Sequence, residues 1–190
     1  TYEVNPIPTG AGSRRLAISP KGDRVAVSNF LDDSVSVIDT RTQTVIATIP
    51  VGAGPRGIAI TPSGDAIYVT NVRDGTTSII DSRSFKVKSL TVDPKPWQVV
   101  ISKDGSKAFV SNGGSNTVSV IDTAQRKVIA TVEVGEGPFF MAIDREGQKL
   151  YVSNGHDTTV TVVDVATLAV LQTIPGIGEQ PFDLDFGPSG

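Results

Sequence analysis

PRGIAITPSGDAIYVTNVRDGTTSIIDSRSFKVKSLTV, residues 55–92, reads as four short strands separated by turns. GIAI is apolar and β-branched, as expected of an innermost strand buried on both faces. TPSGD is turn chemistry, punctuated by Pro and Gly. AIYVTN alternates in strand fashion and ends at Asn71. RDGTT is a second turn, TSIID a third strand and DSRSF a third turn. KVKSLTV is a fourth strand, more polar and therefore outermost. No segment sustains a helical period.

The unit recurs along the chain. RRLAISPKGDRVAVSNF, PWQVVISKDGSKAFVSNG and PFFMAIDREGQKLYVSNG align with it. Asn29, Asn71, Asn112 and Asn154 follow one another at spacings of 42, 41 and 42. Asp39, Asp81, Asp122 and Asp164, closing SVIDT, SIIDS, SVIDT and TVVDV, keep the same spacings, and Gly22, Gly64, Gly105, Gly147 and Gly190 mark a third phase. Four strands per ~42 residues is the blade of a β-propeller, where radial repetition protects sheet edges. The predicted class is all-β: a propeller of four-stranded antiparallel blades.

The predicted blades are 14–54, 55–95, 96–137 and 138–180. TYEVNPI at 1–7 aligns with QTVIATI at 43–49, so it reads as the last strand of a preceding blade. PFDLDFGPSG at 181–190 reads as the first strand of a following one. Four full blades plus two terminal strands suggest part of a larger ring, with a self-contained small ring, or closure by pairing two copies, as the minor alternative. The first residue, Thr1 rather than Met, reads as a processed or cut N-terminus.

IYVTN at 67–71, with AVSN, FVSN and YVSN in the other repeats, resembles the YVTN β-propeller repeat family. SVIDT and VIATIPVGAGP support the same likeness, which runs nearly end to end. It implies a seven-bladed ring, for which ~290 residues would be needed. It also implies an exported protein of the periplasm or cell surface. It implies no reaction.

Composition narrows the chemistry. The chain of 190 residues carries a net charge of −3 with 19% charged and 38% hydrophobic residues, and a pI near 5.1. General nucleic-acid binding usually needs a basic face. There is no Cys, which excludes disulfides, thiolate metal sites, covalent haem and a Cys nucleophile. No apolar run approaches the ~18 residues that span a membrane. GGSN at 113–116 lacks the following helix of a phosphate loop. Neither metal nor cofactor is expected.

Positions constant among repeats are scaffold. The Asn ending the second strand suits an Asx-turn or a left-handed backbone. The recurrent Asp fits a turn acceptor, since the four lie a blade apart with no calcium-loop pattern. Tyr68, Phe109 and Tyr151 fill one matching core place. Positions that vary are free to carry something specific. After each GxGP-like turn come Arg14 and Arg15, Arg56 and Gly57, Trp97 and Gln98, Phe139 and Phe140, and Phe182 and Asp183. In this fold that connection reaches the central channel. The candidate binding residues are therefore Arg14, Arg15, Arg56, Trp97, Gln98, Phe139, Phe140 and Phe182, with His156, the single histidine, in a loop on the same face. Arg with aromatics suits an anionic, planar or extended ligand. The bland alternative is that the aromatics seal blade junctions while the Arg residues pair with Asp32, Asp33 and Asp74.

Two functions follow. One is a non-enzymatic binding or structural scaffold whose ligand sits at the channel mouth. Its partner ranks as a protein or peptide first, then an extended anionic ligand or single-stranded nucleic acid. Association through open blade edges is a further route. The other is a subunit of a periplasmic oxidoreductase, quinoprotein dehydrogenase-like or haem nitrite reductase-like, or a lactonase. Its active residues would lie outside this segment, because one His cannot supply multi-histidine ligation or a serine triad beyond itself.

Overall fold

A computed structural model describes residues 5–176. Its regular elements are sixteen strands in four antiparallel sheets. The first blade holds β1 (Ser13–Ile18), β2 (Arg24–Asn29), β3 (Ser34–Asp39) and β4 (Thr44–Pro50). The second holds β5 (Pro55–Ile60), β6 (Ala66–Asn71), β7 (Thr76–Asp81) and β8 (Val87–Thr91). The third holds β9 (Pro96–Ile101), β10 (Lys107–Asn112), β11 (Thr117–Asp122) and β12 (Lys127–Glu133). The fourth holds β13 (Pro138–Ile143), β14 (Lys149–Asn154), β15 (Thr159–Asp164) and β16 (Val170–Ile174). Each sheet runs in sequence order from the inner strand outward. The expected strand at 1–7 lies partly outside the described residues, and residues 5–7 carry no regular structure. The expected strand at 181–190 lies wholly outside them.

The core is divided among the blade junctions. Side chains alternate between the two faces of a strand, and each face meets a different neighbour. On β6, Ile67 and Val69 pack with Val35 and Val37 of the first blade, while Ala66 and Tyr68 pack with Val99 and Val110 of the third. Phe109 turns the other way, joining Leu150 and Val163 of the fourth blade. Tyr68 and Phe109 are fully buried as expected, whereas Tyr151 is half-buried.

The burial gradient corrects one expectation. The innermost strands are not the most buried. Ile60 and Ile101 are half-buried, and the sealed positions lie on the two middle strands of each blade. An inner strand borders the channel and so loses cover along one edge. Leu16 is 62% exposed, although its counterparts Ile58, Val99 and Met141 are 8%, 2% and 2% exposed, and Ile18 is 60% exposed where its counterparts Ile60, Ile101 and Ile143 are half-buried. Those counterparts face a preceding blade, and β1 has none among the described residues.

The recurrent Asn also differs from expectation. None of the four has a positive φ; the left-handed residue comes four positions later, at Asp33, Gly75, Asn116 and Thr158. The Asn amide instead reaches across the hairpin. Asn29 Nδ2 donates to Ser34 Oγ and Ser36 Oγ at 3.0 and 2.9 Å, and Asn71 Nδ2 repeats this with Thr76 and Ser78 at 2.9 Å each. The recurrent Asp is a turn acceptor, as read. Asp39 Oδ1 receives the Arg41 and Thr42 amides, and Asp164 Oδ1 those of Ala166 and Thr167.

Candidate binding site at the channel mouth

Each inner strand begins with an irregular register against its neighbour, at Ser13/Leu16, Pro55/Ile58, Val110/Asn112 and Pro138/Phe140. Such a bulge frees a backbone amide from the ladder and re-aims the side chains beside it. A hydroxyl on the second strand takes up the freed amide. Thr70 Oγ1 accepts from Gly57 N at 2.8 Å, and Ser28, Ser111 and Ser153 accept likewise from Arg15, Gln98 and Phe140. The same hydroxyl donates to the next blade: Ser28 to Arg56 O at 2.8 Å, Thr70 to Trp97 O at 3.1 Å, Ser111 to Phe139 O at 2.9 Å. The variable residues are thus carried on a backbone clipped from blade to blade. At Gly57 the inner strands approach so closely that a Cβ would lie 2.7 Å from Gln98 Cα and Trp97 O.

The loops on this face lock the turns that precede the inner strands. Asp74 Oδ2 accepts from Ala53 N at 2.6 Å, Asp33 Oδ1 from Gly54 N at 2.8 Å, and Asp32 Oδ2 from Ala11 N at 2.6 Å. These carboxylates therefore hold backbone rather than neutralise arginines, which corrects the pairing considered from the sequence.

The arginines instead stack on rings. The Arg56 guanidinium lies 3.4 Å from the Trp97 ring centroid, Arg15 lies 4.8 Å from Phe140, and Arg14 lies 4.9 Å from Phe30. The Arg15–Phe140 contact joins the first blade to the fourth across the inner strands. Trp97 continues to Phe139 at 4.9 Å, and Phe139 to His156 at 5.2 Å, edge to face. A cation over Trp contributes about 0.5–1 kcal/mol at an exposed site and about 2 kcal/mol or more when desolvated.

Electrostatically the mouth is unbalanced. Arg14, Arg15 and Arg56 line one open recess with Leu16, and none forms an ion pair with a described carboxylate. Burial, and then repulsion from Arg14 and Arg15, pull the Arg56 guanidinium down to about 10. It stays charged at neutral pH. Arg56 Nε and Trp97 Nε1 are both shut off from solvent without an acceptor among the described residues. An orphaned donor costs roughly 1–3 kcal/mol.

Of the residues expected here, Arg14 and His156 are exposed and Arg15, Arg56, Trp97 and Phe139 are half-buried along this rim. Phe140 is only 5% exposed and packs beneath Arg15. The Gln98 amide oxygen accepts from Met141 N of the next blade. Both therefore support the mouth instead of offering a free surface, because the bulge turns the second residue of the pair inward. Phe182 lies outside the described residues. Two residues were missed: Phe30 is held between Arg14 and Arg73, whose guanidinium lies 4.5 Å away. The signal was available, since Phe30 is replaced by Val72, Gly113 and Gly155 at the same phase.

A second recess opens between the first two blades on the opposite face, around Ser19, Asp23, Arg24, Asp65 and Arg83. Three of its charged groups are engaged. Asp23 and Asp65 accept from Ser19 and Ser63, and Arg24 donates to Ser82 O. Among the described residues no three His, Asp or Glu side chains are grouped as metal ligands. No helix there is long and apolar enough to cross a membrane.

The model of the YNCE-like beta-propeller family matches residues 3–104. No curated protein matches. Among solved structures, hydrazine synthase of Kuenenia stuttgartiensis is similar over 90% of this chain and 51% of that one, at 27% identity and a TM-score of 0.83. A functionally unknown protein of Desulfotomaculum acetoxidans DSM 771 is similar over 85% of this chain and 55% of that one, at 19% identity and a TM-score of 0.76. That second likeness is one of fold alone. The chain spans about half the length of both.

Proposed function

The chain belongs to the YNCE-like beta-propeller family, and from that premise we propose a binding propeller. It is a non-enzymatic scaffold, exported to the periplasm or cell surface, that holds an acidic segment of a partner protein at its channel mouth. One observation carries this reading: three guanidinium groups, Arg14, Arg15 and Arg56, converge on an open recess with no described carboxylate to neutralise them. Like charges gathered without partners cost free energy in the free protein. A polycarboxylate occupant recovers that cost through charge-assisted, bidentate hydrogen bonds. The exported location and the YVTN surface-layer kinship rest on the repeat resemblance. A seven-bladed ring is part of the same reading and rests on the same resemblance.

The test is fluorescence anisotropy of a labelled glutamate-rich peptide. Wild type binds it, with affinity falling as salt screens the site over about 10 Å at 0.1 M. The Arg14→Ala/Arg15→Ala/Arg56→Ala protein loses the binding, and a lysine-rich peptide gives none. Undiminished binding by the triple variant refutes the reading.

A second reading is a subunit of a redox assembly, and the likeness to hydrazine synthase favours it. Its active groups would lie beyond this segment. An absorption spectrum of the native complex that shows haem or a quinone cofactor supports it.

A further inference from the structure

We propose that Arg56 is a movable cover over Trp97, released by a ligand that carries carboxylates beside an aromatic ring: an acidic peptide segment with a flanking Phe or Tyr. The inference rests on the acidic-partner reading and sharpens it.

The forces on Arg56 in the free protein explain where it lies. Arg14 and Arg15 share its recess, and their charges push it away. The indole face of Trp97 receives it at 3.4 Å. The placement leaves Arg56 Nε and Trp97 Nε1 closed off and unpaired. A well-packed mouth built only for stability would give those donors acceptors. Here no described residue supplies an acceptor at the place where an anion would arrive.

An anion in the recess reverses the balance. Carboxylates bridging Arg14 and Arg15 turn local repulsion into attraction, and Arg56 swings from the ring to the ligand. Its Nε gains an acceptor. The uncovered indole then adjoins Phe139, whose ring is 4.9 Å from it, with His156 beyond. A ligand ring can occupy the place the guanidinium left, and a ligand carbonyl can accept from Nε1. Cations gather at one end of this arc and aromatics follow, so the ligand should carry acid groups first and the ring next. A peptide fits better than a nucleic-acid strand. A phosphate backbone needs cations along its length, and the rim past Trp97 carries Glu136 and Asp157 instead.

Trp97 is the single tryptophan, so its emission and its quenching by acrylamide read the cover directly. Three probes are titrated into the 190-residue chain and followed in parallel by calorimetry: a short polyglutamate, the same peptide ending in Phe, and an oligothymidylate. Polyglutamate should increase quenching as Arg56 leaves. The Phe-ended peptide should bind roughly tenfold tighter and bring quenching down again as its ring covers the indole. Arg56→Ala should show high quenching before any ligand is added, and Arg14→Ala/Arg15→Ala should show no polyglutamate response. Calorimetric binding of polyglutamate with quenching unchanged overturns the cover and leaves the acidic-partner reading standing. Equal affinity of the two peptides overturns the ring. Tighter binding of oligothymidylate overturns the peptide class. No binding of any probe overturns the cover and the reading beneath it.

Discussion

Thr70→Val removes one oxygen from the junction of the second and third blades and changes almost nothing else. The residue is fully buried, and valine keeps its volume and β-branching, so no cavity forms. Two hydrogen bonds go: Gly57 N to Thr70 Oγ1 at 2.8 Å, and Thr70 Oγ1 to Trp97 O at 3.1 Å. Gly57 N is a buried amide that the bulge has already taken out of the ladder. Orphaning it costs roughly 1–3 kcal/mol, and losing the second bond adds about 0.5–1.5 kcal/mol. We expect about 2–3 kcal/mol in all, a large share of a typical domain stability of roughly 5–15 kcal/mol. With a urea m-value of about 2–3 kcal/mol/M the midpoint falls by about 1 M. Thr70→Ser keeps both bonds and should lose less than half as much. Urea titrations of the three proteins, followed by circular dichroism and by Trp97 emission, decide the matter. A Thr70→Val midpoint within error of wild type, or one matched by Thr70→Ser, refutes the clip.

Other expectations test neighbouring parts of the account. Gly57→Ala drives a methyl to 2.7 Å from the Trp97 carbonyl and Gln98 Cα; it should cost roughly 1–3 kcal/mol and shift Trp97 emission, and an unshifted spectrum would show that the two strands can part freely. Phe109→Ala, at a fully buried position shared with the fourth blade, should cost ~3–5 kcal/mol in chemical denaturation, while Lys86→Ala on the exposed outer edge should stay within about 0.5 kcal/mol. Hydrogen bonds from Ser102 and Ser106 hold the Asp104 carboxyl down at about 2, below its ordinary 3.8. A carboxyl lowered on folding stabilises the native state above the unfolded value and loses that contribution as pH falls, here between about 3.8 and about 2. Asp104→Asn should therefore flatten the pH dependence of the urea midpoint in that window, and an unchanged profile would contradict the assignment.

The repeat was legible because its markers coincide with strand ends. β2, β6, β10 and β14 stop at the four Asn residues, and β3, β7, β11 and β15 at the four Asp residues. The work done by each Asn was not legible, because its partners lie across a hairpin whose register the chain does not announce. A trace was present: the positions five and seven residues later are all hydroxyl-bearing, from Ser34 and Ser36 to Thr159 and Thr161. The residue before each Asn, Ser28, Thr70, Ser111 and Ser153, is likewise always a hydroxyl, and Ser28, Thr70 and Ser111 prove to be clips between blades. The site was legible as a set of variable positions. Which member of each pair faces outward was not, since the bulges decide it: Arg56 and Trp97 are presented, while Phe140 is turned under Arg15. Phe30 and Arg73 escaped notice because they come from the loop after the second strand, and only the folded mouth brings them to Arg14.

The most direct test of the central claim is a crystal structure of the chain with the glutamate-rich, Phe-ended peptide. The account predicts carboxylate oxygens about 2.7–2.9 Å from guanidinium nitrogens of Arg14, Arg15 or Arg56, with Arg56 lifted from Trp97 and the peptide ring in its place. A peptide seated along the outer strands, or in the opposite recess around Arg24 and Asp65, with Arg56 still stacked on Trp97, would contradict it.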